Sequence, residues 1–346
     1  MSSNNLYFPA EWEPSRAILM AWPHKDTDWN YMLDDVQQCF IEISKAIVQH
    51  SSMIIVAPDL SEPTEKLSKA LGDDVNKIKF VEMPTNDTWA RDFGPISLID
   101  KSEPFGYPTY LDFKFNGWGL KFASDKDNLV TSRLFDNGVL KGDYVNRLGF
   151  VLEGGSIETD GNGTLLTTSR CLLSPNRNGQ MSRTEIEDYL KDTLNINHIL
   201  WLEHGYLAGD DTDSHTDTLA RLAPGNTIVY VRCDNPADEH YAELKAMEDE
   251  LKAMRAADSQ PYNLVALPMP DPIYDEEGER LPATYANYLV VNNAILMPVY
   301  GQKANDLLAS QIIKIAFPDY QIITIDCNAL IRQHGSLHCM TMQIPS

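Results

Sequence analysis

Short apolar runs rich in β-branched and aromatic residues recur along the chain, at 17–22, 53–56, 227–231, 288–291, 294–297 and 321–325. Each is strand-sized and bounded by turn residues, which predicts strands. Helical periodicity lies between them. Residues 31–50 bring Leu33, Val36, Phe40, Ile43 and Ile47 near one face, and Ser182 with Glu185 forms a capping box opening a helix toward Leu194. Pro236 stands near the start of a charged helix running to Asp258, and residues 302–316 are expected to pack through Leu307, Leu308, Ile312 and Ile315. The pattern is α/β, with single helices between strands. No GxGxxG or GxxxxGK[ST] follows a strand, so a nucleotide-binding βαβ series is not expected. Strand–strand–helix units return at roughly 60–70 residues, a spacing that permits a pseudo-repeat. The acidic, proline-bearing stretch 268–282 reads as a long surface loop. Nothing resembles an interdomain linker, and one domain over 1–346 is expected.

Composition narrows the function classes. Apolar and charged fractions of 43% and 23% are those of an ordinary globular protein. The balance of 28 basic against 50 acidic residues, a net charge of −22, is not ordinary. It argues against nucleic acid as a partner, because phosphate contacts need a basic footprint. An acidic surface keeps a protein soluble, and it also concentrates small cations. Cys39, Cys171, Cys233, Cys327 and Cys339 are odd in number and scattered, which points away from a disulfide framework or structural zinc and toward a reduced compartment. With no basic-then-apolar opening and no run of the roughly 20 apolar residues that span a bilayer, no membrane partner and a cytoplasmic location are expected.

Four segments carry candidate chemistry. Cys339, in Leu337-His338-Cys339-Met340, is placed on a predicted strand near the C-terminus, behind Gly335 and Ser336. A buried thiol is by default a small hydrophobe, but beside a positive charge its thiolate fraction rises and it becomes a nucleophile. His215 and Asp217 follow in Gly209-Asp210-Asp211-Thr212-Asp213-Ser214-His215-Thr216-Asp217. If 214–219 opens a strand, both face one side and can divide proton transfer and cation binding. The EF-hand pattern fails in this segment for want of the sixth-position glycine and the twelfth-position glutamate. Asp92, in Trp89-Ala90-Arg91-Asp92, offers a planar two-point contact to a guanidinium with Trp89 lining the pocket. Glu153 leads Gly154-Gly155-Ser156, whose glycines allow close backbone approach. A thiol, a histidine and several carboxylates together suit attack on the cationic carbon of a guanidinium.

These four segments, in this order, resemble the agmatine deiminase family, which includes bacterial peptidylarginine deiminase-like proteins and belongs to the guanidine-modifying superfamily. Pro9-Ala10-Glu11-Trp12-Glu13-Pro14, Ala21-Trp22-Pro23 and Phe115-Asn116-Gly117-Trp118-Gly119 match as well, so the resemblance spans nearly the whole chain. It implies a pentein-type α/β propeller of five pseudo-repeated ββαβ modules around a central site. It also implies Cys339 as nucleophile, His215 as general acid/base, Glu153 as the acid supporting it, and Asp92 and Asp217 as the guanidinium grip. Asp211, Trp118 and the 268–282 loop are candidates for closing the pocket. Two departures, the segment 332–338 and Met342 in place of the usual glutamine, bear on the substrate rather than on the chemistry. The expected reaction is hydrolytic deimination of agmatine through a thiouronium adduct, with no metal or organic cofactor, and a homodimer is the default assembly. Free, methylated or peptidyl arginine is the alternative substrate, with Arg91 or Arg332 as a carboxylate clamp. Outside the class stand a metal hydrolase using Asp210, Asp211, Asp213 and His215, and a non-catalytic polycation binder.

Overall fold

A computed structural model of the chain describes residues 5–103 and 106–346. Its strands form five separate sheets with one recurring connectivity. In each, an antiparallel pair is followed by a helical crossover to a parallel third strand, the usual way of joining parallel neighbours. The first such unit is Ile96–Asp100, Thr109–Lys114 and Asp143–Val151, with Leu6–Tyr7 added at the edge. The second is Ile157–Thr159, Thr164–Thr168 and His198–Leu202. The third is Ala220–Ala223, Thr227–Arg232 and Asn263–Pro268, and the fourth Leu289–Val291, Ala294–Val299 and Gln321–Asp326. The fifth joins the two ends of the chain. Met342–Pro345 pairs antiparallel with Ser15–Ala21, Met342 facing Leu19, and Ser52–Ala57 and Ile78–Glu82 extend it in parallel.

The two central strands of the fifth sheet are apolar over most of their length, as expected where both faces are covered. Ile18, Leu19, Met20 and Ala21 are all buried, as are Met53 to Ala57. Helix Leu33–Ile47 buries Val36, Phe40, Ile43 and Ile47, leaving only Leu33 of the predicted stripe half exposed. The capping box is present, with Ser182 and Glu185 opening helix Arg183–Leu194.

Several expectations need correction. The charged helix is shorter than 236–258 and covers Tyr241–Ala253. Asn235 and Asp238 side chains accept from the backbone N–H groups of Ala237 and His240, and these local bonds compete with helix. Helix Lys303–Ala316 packs through Ala309, Ile313 and Ala316, whereas Leu307, Leu308 and Ile315 are exposed. Ile312 is half-buried against the core, and the helix lies mainly on strand Asn263–Pro268 of the preceding sheet, a neighbour that the periodicity of one segment does not reveal. Neither Cys339 nor His215 lies on a strand. They belong to short 3₁₀ turns, His338–Met340 and, with His215 as its cap, Thr216–Thr218. Residues 268–282 do form a loop, pinned by a bridge between Tyr274 and Arg280.

A short turn precedes the first strand of every sheet: Ala90–Phe93, Gly154–Ser156, Thr216–Thr218, the 284–288 segment and His338–Met340. Four of these five turns carry the segments singled out in the sequence.

Candidate active site

The site is built where these turns meet. Gly155 sits at its centre: a Cβ placed there would lie 2.6 Å from His215 Nδ1, 2.8 Å from Asp92 Oδ1 and 3.1 Å from Asp217 Oδ2. Only glycine lets three functional groups from two other turns approach one backbone. The Gly155 N–H itself donates to Asp92 Oδ1 at 2.9 Å, and the Trp118 indole N–H donates to Oδ2 at 2.9 Å. Trp118 reaches that carboxylate from a left-handed backbone (φ 54), a conformation unusual for a bulky residue and characteristic of functional turns. Asp213 and Ser214 adopt the same region just before His215.

His215 is fully buried, with Nε2 3.0 Å from Glu153 Oε2 and Nδ1 3.6 Å from Asp92 Oδ1. Burial opposes the imidazolium, but the Asp92 carboxylate, the neighbouring Cys171 and the bond to Glu153 more than offset it and hold the ring well above its ordinary pKa. Glu153 would itself be pushed up by burial. The bond to His215 and the Arg177 guanidinium, whose Nε donates to both carboxylate oxygens at 2.9 and 3.1 Å, bring it below the usual range. Asp92 goes the other way: burial, with Asp217 and Glu153 nearby, raises it to about 6 despite His215. Asp217 Oδ2 bonds His338 Nδ1 at 2.7 Å, and this contact outweighs burial and keeps the carboxylate low. Its Oδ1, like His215 Nδ1, is buried without a partner among the described residues.

Cys339 is 6% exposed, its Sγ 3.8 Å from Asp217 Oδ2. Burial, then Asp217 and Asp92, push the thiol well above its ordinary value. The sulfur is reached through a cavity of about 390 Å³, lined also by Trp89, Asp92, Trp118, Asp211 and His215. Trp89 packs against Trp29 and Trp118, with Gly335 against its ring. Asp28, Asp87 and Asp210 also line this cavity, against Lys121 and Lys126. Lys121 is engaged by the Asp211 carbonyl and by Asp213.

Arg91 and Arg332, the candidate carboxylate clamps, do not line this cavity. Arg91 is buried behind it, donating to Gln343 Oε1 at 2.6 Å, and Arg332 pairs with Glu276. The four proposed metal ligands do not converge either. Asp210 accepts from Thr212 and Ser214 within its own loop, and Asp213 pairs with Arg177 at 2.5 Å. Two other groups have ligand-like spacing: Glu153, Cys171 and His215, and Glu11, Glu158 and His338. Each is already capped by a buried guanidinium, Arg177 on Glu153 and Arg221 on Glu11 and Glu158.

Sequence reasoning missed Arg177, Glu11, His338 as the partner of Asp217, and Asn287. No local motif marks Arg177 or Asn287. Glu11 lies in a matched segment, but its contact with His338 at 2.7 Å joins positions 327 residues apart.

The model of the Porphyromonas-type peptidyl-arginine deiminase family matches residues 7–345. The chain belongs to this family. It is an agmatine deiminase-like enzyme. A Vibrio parahaemolyticus protein provisionally named agmatine deiminase is 35% identical over 366 residues, covering 100% of this chain and 98% of that one. The structure of C. jejuni agmatine deiminase with substrate bound superposes with TM-score 0.88 at 37% identity, covering 99% and 96% of the two chains. A provisionally named arginine deiminase from Porphyromonas gingivalis gives 0.91 at 50% identity, covering 99% and 98%. Dimethylarginine dimethylaminohydrolase, at 12% identity and TM-score 0.53, shares the fold alone. Among the described residues, no helix is long and apolar enough to cross a membrane.

Proposed function

We propose that this protein deiminates agmatine, giving N-carbamoylputrescine and ammonia, with Cys339 as nucleophile. The observation that carries the reading is the convergence of Asp92, Asp217 and His215 beside the Cys339 sulfur at the floor of an acidic cavity. Asp92 and Asp217 grip the guanidinium and keep it cationic. That cation, seated against sulfur, offsets the carboxylates that disfavour the thiolate, and the thiol proton is released to solvent. The thiolate adds to the central carbon, forming the C–S bond. His215 then gives its proton to the departing nitrogen as the C–N bond breaks, and ammonia leaves a thiouronium adduct. The neutral imidazole takes one proton from water, whose oxygen adds to the same carbon, and as the C–S bond breaks the remaining hydroxyl proton passes to the departing sulfur, restoring the Cys339 thiol and leaving the neutral ureido product. Covalent catalysis divides one difficult displacement into two easier ones. Glu153, held by Arg177, keeps the His215 ring oriented and basic. Every step uses side chains alone, and the reading invokes no metal or organic cofactor.

Agmatine is favoured over arginine because the cavity lining is acidic and neither Arg91 nor Arg332 reaches it. In the same reading the five sheets are the modules of a pentein propeller, 1–346 is one catalytic domain, and five buried, unpaired cysteines fit a cytoplasmic enzyme.

Ammonia release from agmatine, arginine and a blocked arginyl peptide, each with EDTA present, tests the proposal. Turnover of agmatine alone is expected. Cys339→Ala should lower kcat at least ~10⁴-fold while agmatine still binds; near wild-type turnover in that variant would overturn the scheme.

A further inference from the structure

The turn before the first strand of each sheet supplies the site, and four of the five contributions are Asp92, Glu153, His215 with Asp217, and Cys339. The fifth, 284–288, places Asn287 against the nucleophile, fully buried. Its Nδ2 lies 3.3 Å from Cys339 Sγ and 3.3 Å from the Asp217 carbonyl oxygen. Its Oδ1 accepts the His338 N–H at 2.9 Å and faces the Cys339 N–H at 3.4 Å. These neighbours dictate the orientation of the amide. Two backbone N–H groups require an acceptor on one side, and a backbone carbonyl requires a donor on the other. The donor end therefore faces sulfur. Because Oδ1 also lies 3.4 Å from Sγ, one side chain can accept from the neutral thiol and donate to the thiolate.

We propose that Asn287 is a catalytic residue: its amide N–H steadies the Cys339 thiolate, both when that sulfur attacks and when it leaves the adduct. A charge forming on a buried sulfur beside carboxylates gains most from a donor that is already in place. Around Sγ the carboxylates of Asp92 and Asp217 disfavour the anion, and Asn287 is a side-chain donor set against them. The inference rests on the deiminase reading for its catalytic meaning, but the sulfur–amide contact can be tested without turnover.

Two variants separate donation from mere support of the turn. Asn287→Asp keeps an acceptor for the His338 N–H and removes the donor; Asn287→Ala removes both. Donation predicts that each lowers kcat on agmatine roughly 10²- to 10³-fold, with KM changed only a few-fold. It also predicts that the pH midpoint for alkylation of Cys339 by iodoacetamide, corrected with Cys339→Ala, rises by about one unit or more in Asn287→Ala. If Asn287→Asp keeps kcat within about three-fold of wild type, a scale far below the loss of one such donor, Asn287 only supports the turn and the proposal fails. An unmoved alkylation midpoint in Asn287→Ala fails it equally. Should Asn287→Ala not fold, the near-isosteric Asn287→Leu serves for the midpoint. A wild-type protein that turns over no guanidine would sink the deiminase reading, while the alkylation midpoint would still decide the contact.

Discussion

His215 and Asp92 are buried neighbours with opposite needs, and their titrations define when the site can work. Asp92 must be ionised to hold a guanidinium, and its carboxyl is raised to about 6 by burial and by neighbouring acids. As pH falls through that value the carboxylate is lost, so kcat/KM should decline below about pH 6. In kcat, which reports the complex, the same limb should move lower, because the bound cation favours the ionised acid. On the alkaline side His215 must keep its proton for the leaving nitrogen, so activity should fall as the ring deprotonates. Glu153→Gln removes a negative charge from the imidazolium, lowers the His215 pKa and should shift the alkaline limb down by about one unit. It also takes from Arg177 its fully buried partner while leaving Asp213, so the loss of stability should stay below the about 3–5 kcal/mol of an unpaired buried charge. A pH–rate profile of both proteins, with a denaturant titration, checks these outcomes. An unmoved alkaline limb in Glu153→Gln would assign that limb to another group.

At the scale of elements, the short turns ahead of each sheet do what the predicted strands could not. The alternation expected for 214–219 would have set His215 and Asp217 on one face of a strand. Instead a 3₁₀ turn, entered through left-handed Asp213 and Ser214 and closed by Thr218 Oγ1 on the His215 carbonyl, delivers both to the site. The residue types were legible, but the backbone that aims them was not, because apolar periodicity carries no signal for a four-residue turn. Gly155 shows how little slack remains. Gly155→Ala should cost at least about 10²-fold in kcat/KM, since a displacement of about 1 Å in a catalytic group has that effect, and leave the circular dichroism spectrum unchanged. Helix Lys303–Ala316 teaches the opposite lesson. Of the predicted face only Ile312 is half-buried, and Ala309, Ile313 and Ala316 are buried instead, because which face of a helix is covered depends on a neighbouring strand some forty residues upstream.

For the whole molecule, a net charge of −22 and an acidic cavity mouth would act together on the proposed dicationic substrate. Raising ionic strength from about 20 to 300 mM should lower kcat/KM for agmatine several-fold by screening this attraction. Steady-state kinetics in sodium chloride would show it; salt-independent kcat/KM would leave the surface acid with no role in capture. By itself the sequence determined the α/β class, six of the strands, the first helix with its apolar stripe, and the candidate residues Cys339, His215, Asp92, Asp217 and Glu153. These were legible because periodicity and residue type are local properties. Only tertiary structure decided that five turns, spread from Trp89 to Met340, converge on one sulfur. It alone paired Glu153 with Arg177 and Asp217 with His338, and it set Asn287 against the nucleophile. Such contacts join positions tens to hundreds of residues apart, and their energies depend on burial, which no local stretch of sequence reveals.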